Sequence, residues 1–275
     1  MNKTVDSSSF EGKTLFLTTP CYGAKVNSDF AMAISALRCK LEAFNIKYSI
    51  YFLNNDSLIS RARSKCATKF LSDTYWEGPK GSLFTHMMFI DADTGFDPND
   101  VLKFLYSDED ILVGAVPKKK LPIEYNTVAV LNDDGEYITH KERFLEVEYG
   151  GTAFMMIKRE VFEKMQESYP ELKHEPFDNE LCPSTAESSR QFYIKNSYAY
   201  FDTQILPRAK KSQCTDNKTL RYFAEDYMFC RRWTDMGGKI LLDPSVKLNH
   251  YGDYLFEGDL TGNKEYASLS TAKDI

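Results

Sequence analysis

The sequence predicts an α/β fold, a mixed central sheet with helices on both faces, and three observations predict it. Residues 14–53 read strand, helix, strand, the order that starts a sheet with a crossover connection. The apolar run Met87-Met88-Phe89-Ile90 ends directly in Asp91-Ala92-Asp93, as a buried strand does when it reaches a ligand-binding edge. Beyond residue 116 the alternation gives way to a hairpin pattern, which adds antiparallel pairing. The chain has 275 residues, 43% hydrophobic and 27% charged, enough to bury a substantial core and ordinary for a globular protein.

The elements follow in order. Thr14-Leu15-Phe16-Leu17-Thr18 is a first strand, released into a loop at Pro20 and Gly23. Asn27 or Ser28 caps a helix whose apolar face is Phe30, Ile34, Leu37, Leu41 and Phe44, spaced by four and three. A second strand covers 48–53. A second helix over 57–71 gathers Leu58, Ala62, Cys66 and Phe70 on one face and leaves Arg61, Arg63 and Lys65 off it. Pro98 starts a third helix that runs to about residue 106, and 111–116 returns as a strand.

Residues 125–131 and 136–139 flank the turn Asn132-Asp133-Asp134-Gly135 as a hairpin. An apolar run over 147–157 surrounds Gly150-Gly151, and a helix follows over 159–165. The polar, proline-bearing stretch 170–190 reads as a loop, 198–201 as a strand, and Arg208, Lys210 and Lys211 as a basic loop. A helix over 224–236 stops at Gly237-Gly238. Strands over 239–242 and 246–250 then flank the Asp243-Pro244 turn. With no repeat and no linker, residues 1–275 read as a single domain. Its halves are 14–116 and 117–257, followed by a polar, flexible tail over 258–275.

Bulk properties narrow the function. A formal charge of -6 argues against broad electrostatic coating of nucleic acid. Lys118-Lys119-Lys120, Lys210-Lys211 and Arg231-Arg232 are either scattered solvent charges or a local cationic track beside stacking aromatic rings. The six cysteines include no CxxC pair, which excludes a zinc knuckle. The leader, with Asp6 and Ser7-Ser8-Ser9, lacks the apolar core of a secretory signal, and no segment is apolar over a bilayer's width. These features read as a reduced, cytoplasmic protein.

The chemistry centres on Asp91 and Asp93. At a strand end, with Thr94-Gly95 permitting a bend, the two carboxylates can address one cation, and oxygen ligands favour Mg²⁺ or Mn²⁺. Loop carboxylates are the bland alternative. Phe89-Ile90-Asp91-Ala92-Asp93 resembles the Asp-x-Asp motif of glycosyltransferases with the GT-A fold, whose sheet carries a Rossmann-like nucleotide-binding half. Thr18-Thr19-Pro20 is similar to the nucleotide-binding first loop of that superfamily, and Tyr22 belongs to the same loop. Glu225-Asp226 resembles the late acidic pair of its family-2-like branch, and His250 its C-terminal metal-ligand histidine. Leu58-Ile59-Ser60-Arg61-Ala62-Arg63 and Gly150-Gly151-Thr152-Ala153-Phe154 look like segments of viral, phage and fungal glycosyltransferases.

The resemblance covers most of residues 14–252 and implies a sugar transfer from a nucleoside-diphosphate donor to a hydroxyl acceptor, on a glycan or on modified DNA. In that frame residues 14–116 bind the donor, and 117–257 form the acceptor-side, catalytic half. Segments 117–145 and 170–215 border the acceptor. Asp91, Asp93 and His250 hold Mn²⁺ or Mg²⁺. Thr19, Pro20, Tyr22, Arg61, Arg63, Gly151 and Thr152 contact the donor, the arginines because a guanidinium grips phosphate with two donors. Asp226 is the catalytic base and Glu225 orients its surroundings. Each has a structural alternative: a solvated helix face for the arginines, a buried structural histidine for His250, a tight bend for Gly151-Thr152, and stabilisation of a helix N-terminus for the acidic pair. Host cytoplasm is included in the expected location. The competing functions are nucleotidyl transfer, which releases pyrophosphate, and a non-catalytic carbohydrate- or nucleic-acid-binding module.

Overall fold

The computed structural model describes residues 6–75, 82–176, 187–207, 220–261 and 270–271. Its centre is a ten-stranded mixed sheet. Strands β1 (Thr14–Cys21), β2 (Lys47–Asn54) and β3 (His86–Ile90) run parallel, joined through helices α1 (Ser28–Ala43) and α2 (Ile59–Ser72). After helix α3 (Pro98–Ser107) come β4 (Ile111–Val113), β5 (Thr127–Ala129), β6 (Phe144–Gly150) and β7 (Phe154–Lys158). Helices α4 (Arg159–Ser168), α5 (Glu187–Asn196) and α6 (Glu225–Asp235) precede β8 (Ile240–Leu242). Spatially the order is Ser270–Thr271 at the edge, then β5, β6, β8, β4, β7, β3, β1, β2, with Thr139–His140 paired to β6 off this path. Strand β7 is inserted antiparallel between β3 and β4, and β6 runs antiparallel to both β5 and β8, so the sheet is mixed.

Strand periodicity sorts the core onto two faces. Leu15 and Leu17 of β1 and Met88 and Ile90 of β3 pack with Phe30, Ile34, Leu37 and Leu41 of α1 and with Val101 and Phe104 of α3. Phe16, Met87 and Phe89 point to the other face, where Cys66 and Phe70 of α2, Phe162 of α4 and Phe229 of α6 lie. By the same parity Asp91 continues the Met87, Phe89 row and leaves β3 on the α2 side. Strands from both expected halves belong to this one sheet.

Several elements differ from the expectation. Arg63 and Lys65 lie off the apolar stripe of α2 yet are buried, because their charges find carboxylates inside the fold, and this sets aside the solvated-face alternative for Arg63. The 170–190 stretch is not all loop, since Pro170–Leu172 forms a 3₁₀ turn and α5 begins at Glu187, with 177–186 outside the described residues. Residues 198–201 form no strand; Tyr198 makes an isolated bridge to Lys173, and their aromatic rings fill the core. The expected strand over 246–250 is reduced to Asn249–Tyr251, with Val246 and Leu248 used as core plugs. In the tail, Ser270–Thr271 pairs parallel to β5 at the sheet edge, beyond Gly258, whose amide is tied to the Leu248 carbonyl. The hairpin is present, with a Leu131–Tyr137 bridge and Gly135 at φ 83° in its turn.

Candidate functional site

The site is assembled at the carboxyl end of β3. Asp91 to Thr94 close a turn, with the Thr94 amide donating to the Asp91 carbonyl at 3.0 Å, while the Asp91 amide donates to the Ala153 carbonyl at 3.0 Å. The turn is clamped from the first loop by the Asn27 amide, which donates to the Ala92 carbonyl at 2.8 Å. His250 arrives by strand pairing: Asn249 and His250 lie opposite Gly95 and Thr94. A Cβ on Gly95 would stand 3.0 Å from the Tyr251 ring, so glycine permits this approach.

A cleft of about 440 Å³ opens here, lined among others by Arg63, Asp91, Lys119, Asn126, Asp226 and His250. Val116, Pro117, Lys118, Gly151, Thr152 and Ala153 complete its wall. Arg63 enters from the first turns of α2, over the Phe89 ring at 5.4 Å. Its Nη2 lies 3.1 Å from both Asp91 oxygens but donates only to Oδ2, and its Nε donates to Glu225 Oε1 at 3.3 Å. Arg63 Nη1 and Asp91 Oδ1 are buried without a hydrogen-bond partner. Unspent capacity of this kind is costly in a core and is expected where a ligand completes the set.

Asp226 opens α6 and is 8% exposed. Burial, joined by the charge of Glu225 and opposed by that of Arg63, pushes its carboxyl up to about 6. Its Oδ1 accepts from the Tyr227 amide at 2.8 Å and its Oδ2 from Asn126 Nδ2 at 3.3 Å. Burial also raises Asp93, but hydrogen bonds from His250 and Lys119 outweigh it and hold that carboxyl at about 2. Lys119 Nζ is 2.6 Å and His250 Nε2 3.5 Å from Asp93 Oδ2.

The expected metal set fits in chemistry more than in closeness. Among the described residues no three His, Cys, Asp or Glu side chains gather as a metal-holding group, because Arg63 and Lys119 engage the two aspartates. The donors nevertheless suit Mn²⁺ or Mg²⁺. Asp91 Oδ1 is unspent, and His250 Nδ1 lies 2.7 Å from the Pro117 carbonyl, which only a protonated Nδ1 can satisfy. That bond turns Nε2 toward Asp93 as the nitrogen that can ligate.

Other expected site residues fall elsewhere. Arg61 does not line the cleft: its guanidinium forks onto Asp56, Nη2 to Oδ1 at 2.8 Å, and Lys65 Nζ is 3.1 Å from the same carboxylate. Thr19 is fully buried within β1, and Tyr22 stands 75% exposed on the loop beyond Pro20; none of the three lines the cleft described above. Gly151 and Thr152 do. The cationic track is not assembled among the described residues. Lys118 and Lys120 pair with Glu124, Arg231 pairs with Asp235, and Arg232 is buried against Asp202; Arg208, Lys210 and Lys211 lie outside the described residues. Of the expected acceptor-border segments, the first contributes Pro117, Lys118, Lys119 and Asn126 to the wall.

Asn126 and Lys119 were not legible as site residues. Asn126 sat inside a strand pattern and Lys119 inside a run of identical charges, where nothing marks the middle lysine as the one that pairs with Asp93. Cys21, Cys39, Cys66 and Cys230 are free thiols, while Cys182 and Cys214 lie outside the described residues. No described helix is long and apolar enough to cross a membrane. No protein-family model matches this chain, and no curated protein matches it.

Proposed function

We propose that this protein is a divalent-metal-dependent glycosyltransferase of the GT-A type, moving a hexose or pentose from a nucleoside diphosphate to a hydroxyl on a glycan or on modified DNA in the cytoplasm, host cytoplasm included. The observation that carries the reading is one cleft in which an unspent guanidinium edge and carboxylate oxygen, on Arg63 and Asp91, are joined by Asp226, a carboxyl raised to about 6. The volume of about 440 Å³ suits a ligand of nucleotide-sugar class.

In an inverting transfer the acceptor oxygen attacks the anomeric carbon from the side opposite the diphosphate. Its proton passes to Asp226, the new C–O bond forms, and the bond to phosphate breaks with its electron pair leaving on the diphosphate. A carboxyl raised to about 6 serves such a proton transfer well, being largely ionised at neutral pH yet more basic than an ordinary aspartate. Arg63 Nη1 has donor capacity left for a phosphate oxygen, and Glu225 holds that guanidinium from the other side. Bound by Asp91, Asp93 and His250, Mn²⁺ or Mg²⁺ would offset the negative charge that develops on the leaving group.

Calorimetry of the wild type with nucleoside diphosphates and nucleotide-sugars, with and without Mn²⁺ or Mg²⁺, tests this. Expected is binding that requires the cation and weakens in folded Asp91→Ala and Asp93→Ala proteins. Equal, cation-independent binding in all three would sink the reading. Product analysis separates the nearest enzymatic alternative, since nucleotidyl transfer liberates pyrophosphate and glycosyl transfer a nucleoside diphosphate.

A further inference from the structure

A proton acceptor has to be held in one orientation, and α6 supplies no side-chain cap at the N-terminus where Asp226 sits. Three contacts converge on the answer. The Tyr227 hydroxyl donates to Asn126 Oδ1 at 2.7 Å. An amide whose oxygen is engaged in this way must present its nitrogen on the other side, and Asn126 Nδ2 duly donates to Asp226 Oδ2 at 3.3 Å. The backbone of Asn126 is itself tied to the cleft wall, its carbonyl accepting from the Gly151 amide at 3.2 Å.

The tyrosine that starts this chain is held firmly. Its ring stacks on Tyr149 of β6 with centroids 4.8 Å apart and planes 10° from parallel. The Arg221 guanidinium lies over both rings, 6.0 Å from Tyr149 and 5.4 Å from Tyr227. Asn126 also lines the cleft beside Asp226.

We propose that Tyr227 and Asn126 are positioning residues for Asp226: the stacked tyrosine orients the amide, and the amide aims one carboxylate oxygen into the cleft and favours its charged form. This rests on the glycosyl-transfer reading for the use made of Asp226, but the aiming itself is a property of the three side chains. Burial raises the Asp226 carboxyl first, and the groups that face it are Glu225 beside it, Arg63 from α2, the backbone amides of Tyr227 and Asp226, and Cys230 one turn on, with the Asn126 amide donating to Oδ2. Removing a donor to a carboxylate disfavours ionisation, so the sign of the effect is fixed. A residue that acted only through packing would not move this titration when its hydroxyl alone is deleted.

The test is a carboxyl ¹³C NMR titration of the full chain, with the Asp226 resonance assigned by its loss in Asp226→Asn. Tyr227→Phe keeps the ring and its stack; Asn126→Ala removes the amide. Expected is an upward shift of the Asp226 midpoint by about one pH unit in Asn126→Ala, with a smaller rise in Tyr227→Phe. Asn126→Gln, which restores an amide, is expected to recover part of the shift. The basic displacement should reappear in the acidic limb of kcat/KM once a donor and acceptor are in hand. Unchanged midpoints in Tyr227→Phe and Asn126→Ala, both with wild-type melting behaviour, overturn the inference and leave the donor-binding test untouched. Absence of cation-dependent donor binding in the wild type overturns the transfer reading instead, while the titration still decides whether the amide aims the carboxylate.

Discussion

The two ends of β3 carry similar charges and put them to different use. At the amino end, His86 is buried, with Nδ1 2.8 Å from Thr85 Oγ1 and Nε2 3.1 Å from Asp108 Oδ1. Lys158 Nζ is 3.2 Å from the same aspartate oxygen, and Lys13 Nζ donates to the carbonyls of Leu105 and Tyr106. Each of these polar groups is engaged by another. At the carboxyl end, Arg63 and Asp91 line a cleft and meet, but leave the buried Nη1 and Oδ1 without a hydrogen-bond partner. Burial perturbs both ends, lowering His86 to about 4 and raising Asp226 to about 6. Buried charge therefore does not distinguish a site from a structural knot; leftover hydrogen-bonding capacity in residues that line a cleft does.

The largest effect expected to test this contrast is on turnover. Asp226→Asn keeps the volume of the side chain and deletes its basicity, so single-turnover rates should fall by roughly 10² to 10⁴-fold with donor affinity largely retained. Near-native rates would remove Asp226 as the base, and a product of retained anomeric configuration would reject a single inverting displacement.

Next in size is the cost of emptying the carboxyl end of its cation. Arg63→Met leaves Asp91 and Glu225 without their shared partner, and urea unfolding should show a loss of about 3 kcal/mol. Little change would mean that the pairing barely offsets its own desolvation, and that Arg63 is retained for ligand binding alone.

The two ends should also respond to pH with opposite sign. His86 folds with its affinity for protons lowered from 6.5 to about 4, so the unfolded chain binds the proton first and stability falls as pH drops through that window. Asp226 folds with its carboxyl raised from 3.8 to about 6, so the folded chain binds the proton first and stability falls as pH rises from about 4 to 6. Unfolding curves across this range should therefore rise more steeply with pH in Asp226→Asn than in the wild type and less steeply in His86→Leu. At pH 7 Asp226→Asn should be the more stable protein, by about 2 kcal/mol. A variant that loses activity and gains stability would mark Asp226 as a group kept for chemistry. Identical slopes in all three proteins would break the contrast between the ends.

The smallest effect belongs to Arg61, whose guanidinium is committed to Asp56. Arg61→Ala should leave donor affinity within about twofold of wild type, where Arg63→Lys weakens it by losing the bidentate edge. Equal losses in both would return Arg61 to the donor site.

These contrasts also separate what was legible in the sequence from what was not. The strand-helix-strand start, the apolar β3 that ends in Asp91-Ala92-Asp93, and the hairpin that mixes the sheet are local patterns. Period and turn chemistry carry them. Helix α2 shows the limit: its apolar stripe was readable, but Arg61 and Arg63 were both expected at the donor with a solvated helix face as the alternative, since a window of residues cannot contain the carboxylates of Asp91 and Glu225 that bury one arginine of the two. Arg61 and Arg63 are chemically identical in the sequence and opposite in the fold.

The sequence by itself determined the fold class, because that follows from periodicity; the residues at the end of β3 pointed to the edge where chemistry is expected, and the resemblance supplied Asp226 and His250 as further candidates. The tertiary structure decided the rest: that His250 reaches the Asp91 turn by pairing with Thr94, that Lys119 is the member of its triplet that pairs with Asp93, and that Tyr227 and Asn126 stand behind Asp226. The physical reason is the range of the interactions. Helix and strand propensity act within a few residues, whereas hydrogen bonds and ion pairs are made at about 3 Å between groups a hundred or more positions apart in the chain, as when Asn126 meets Asp226 and Arg63 meets Glu225.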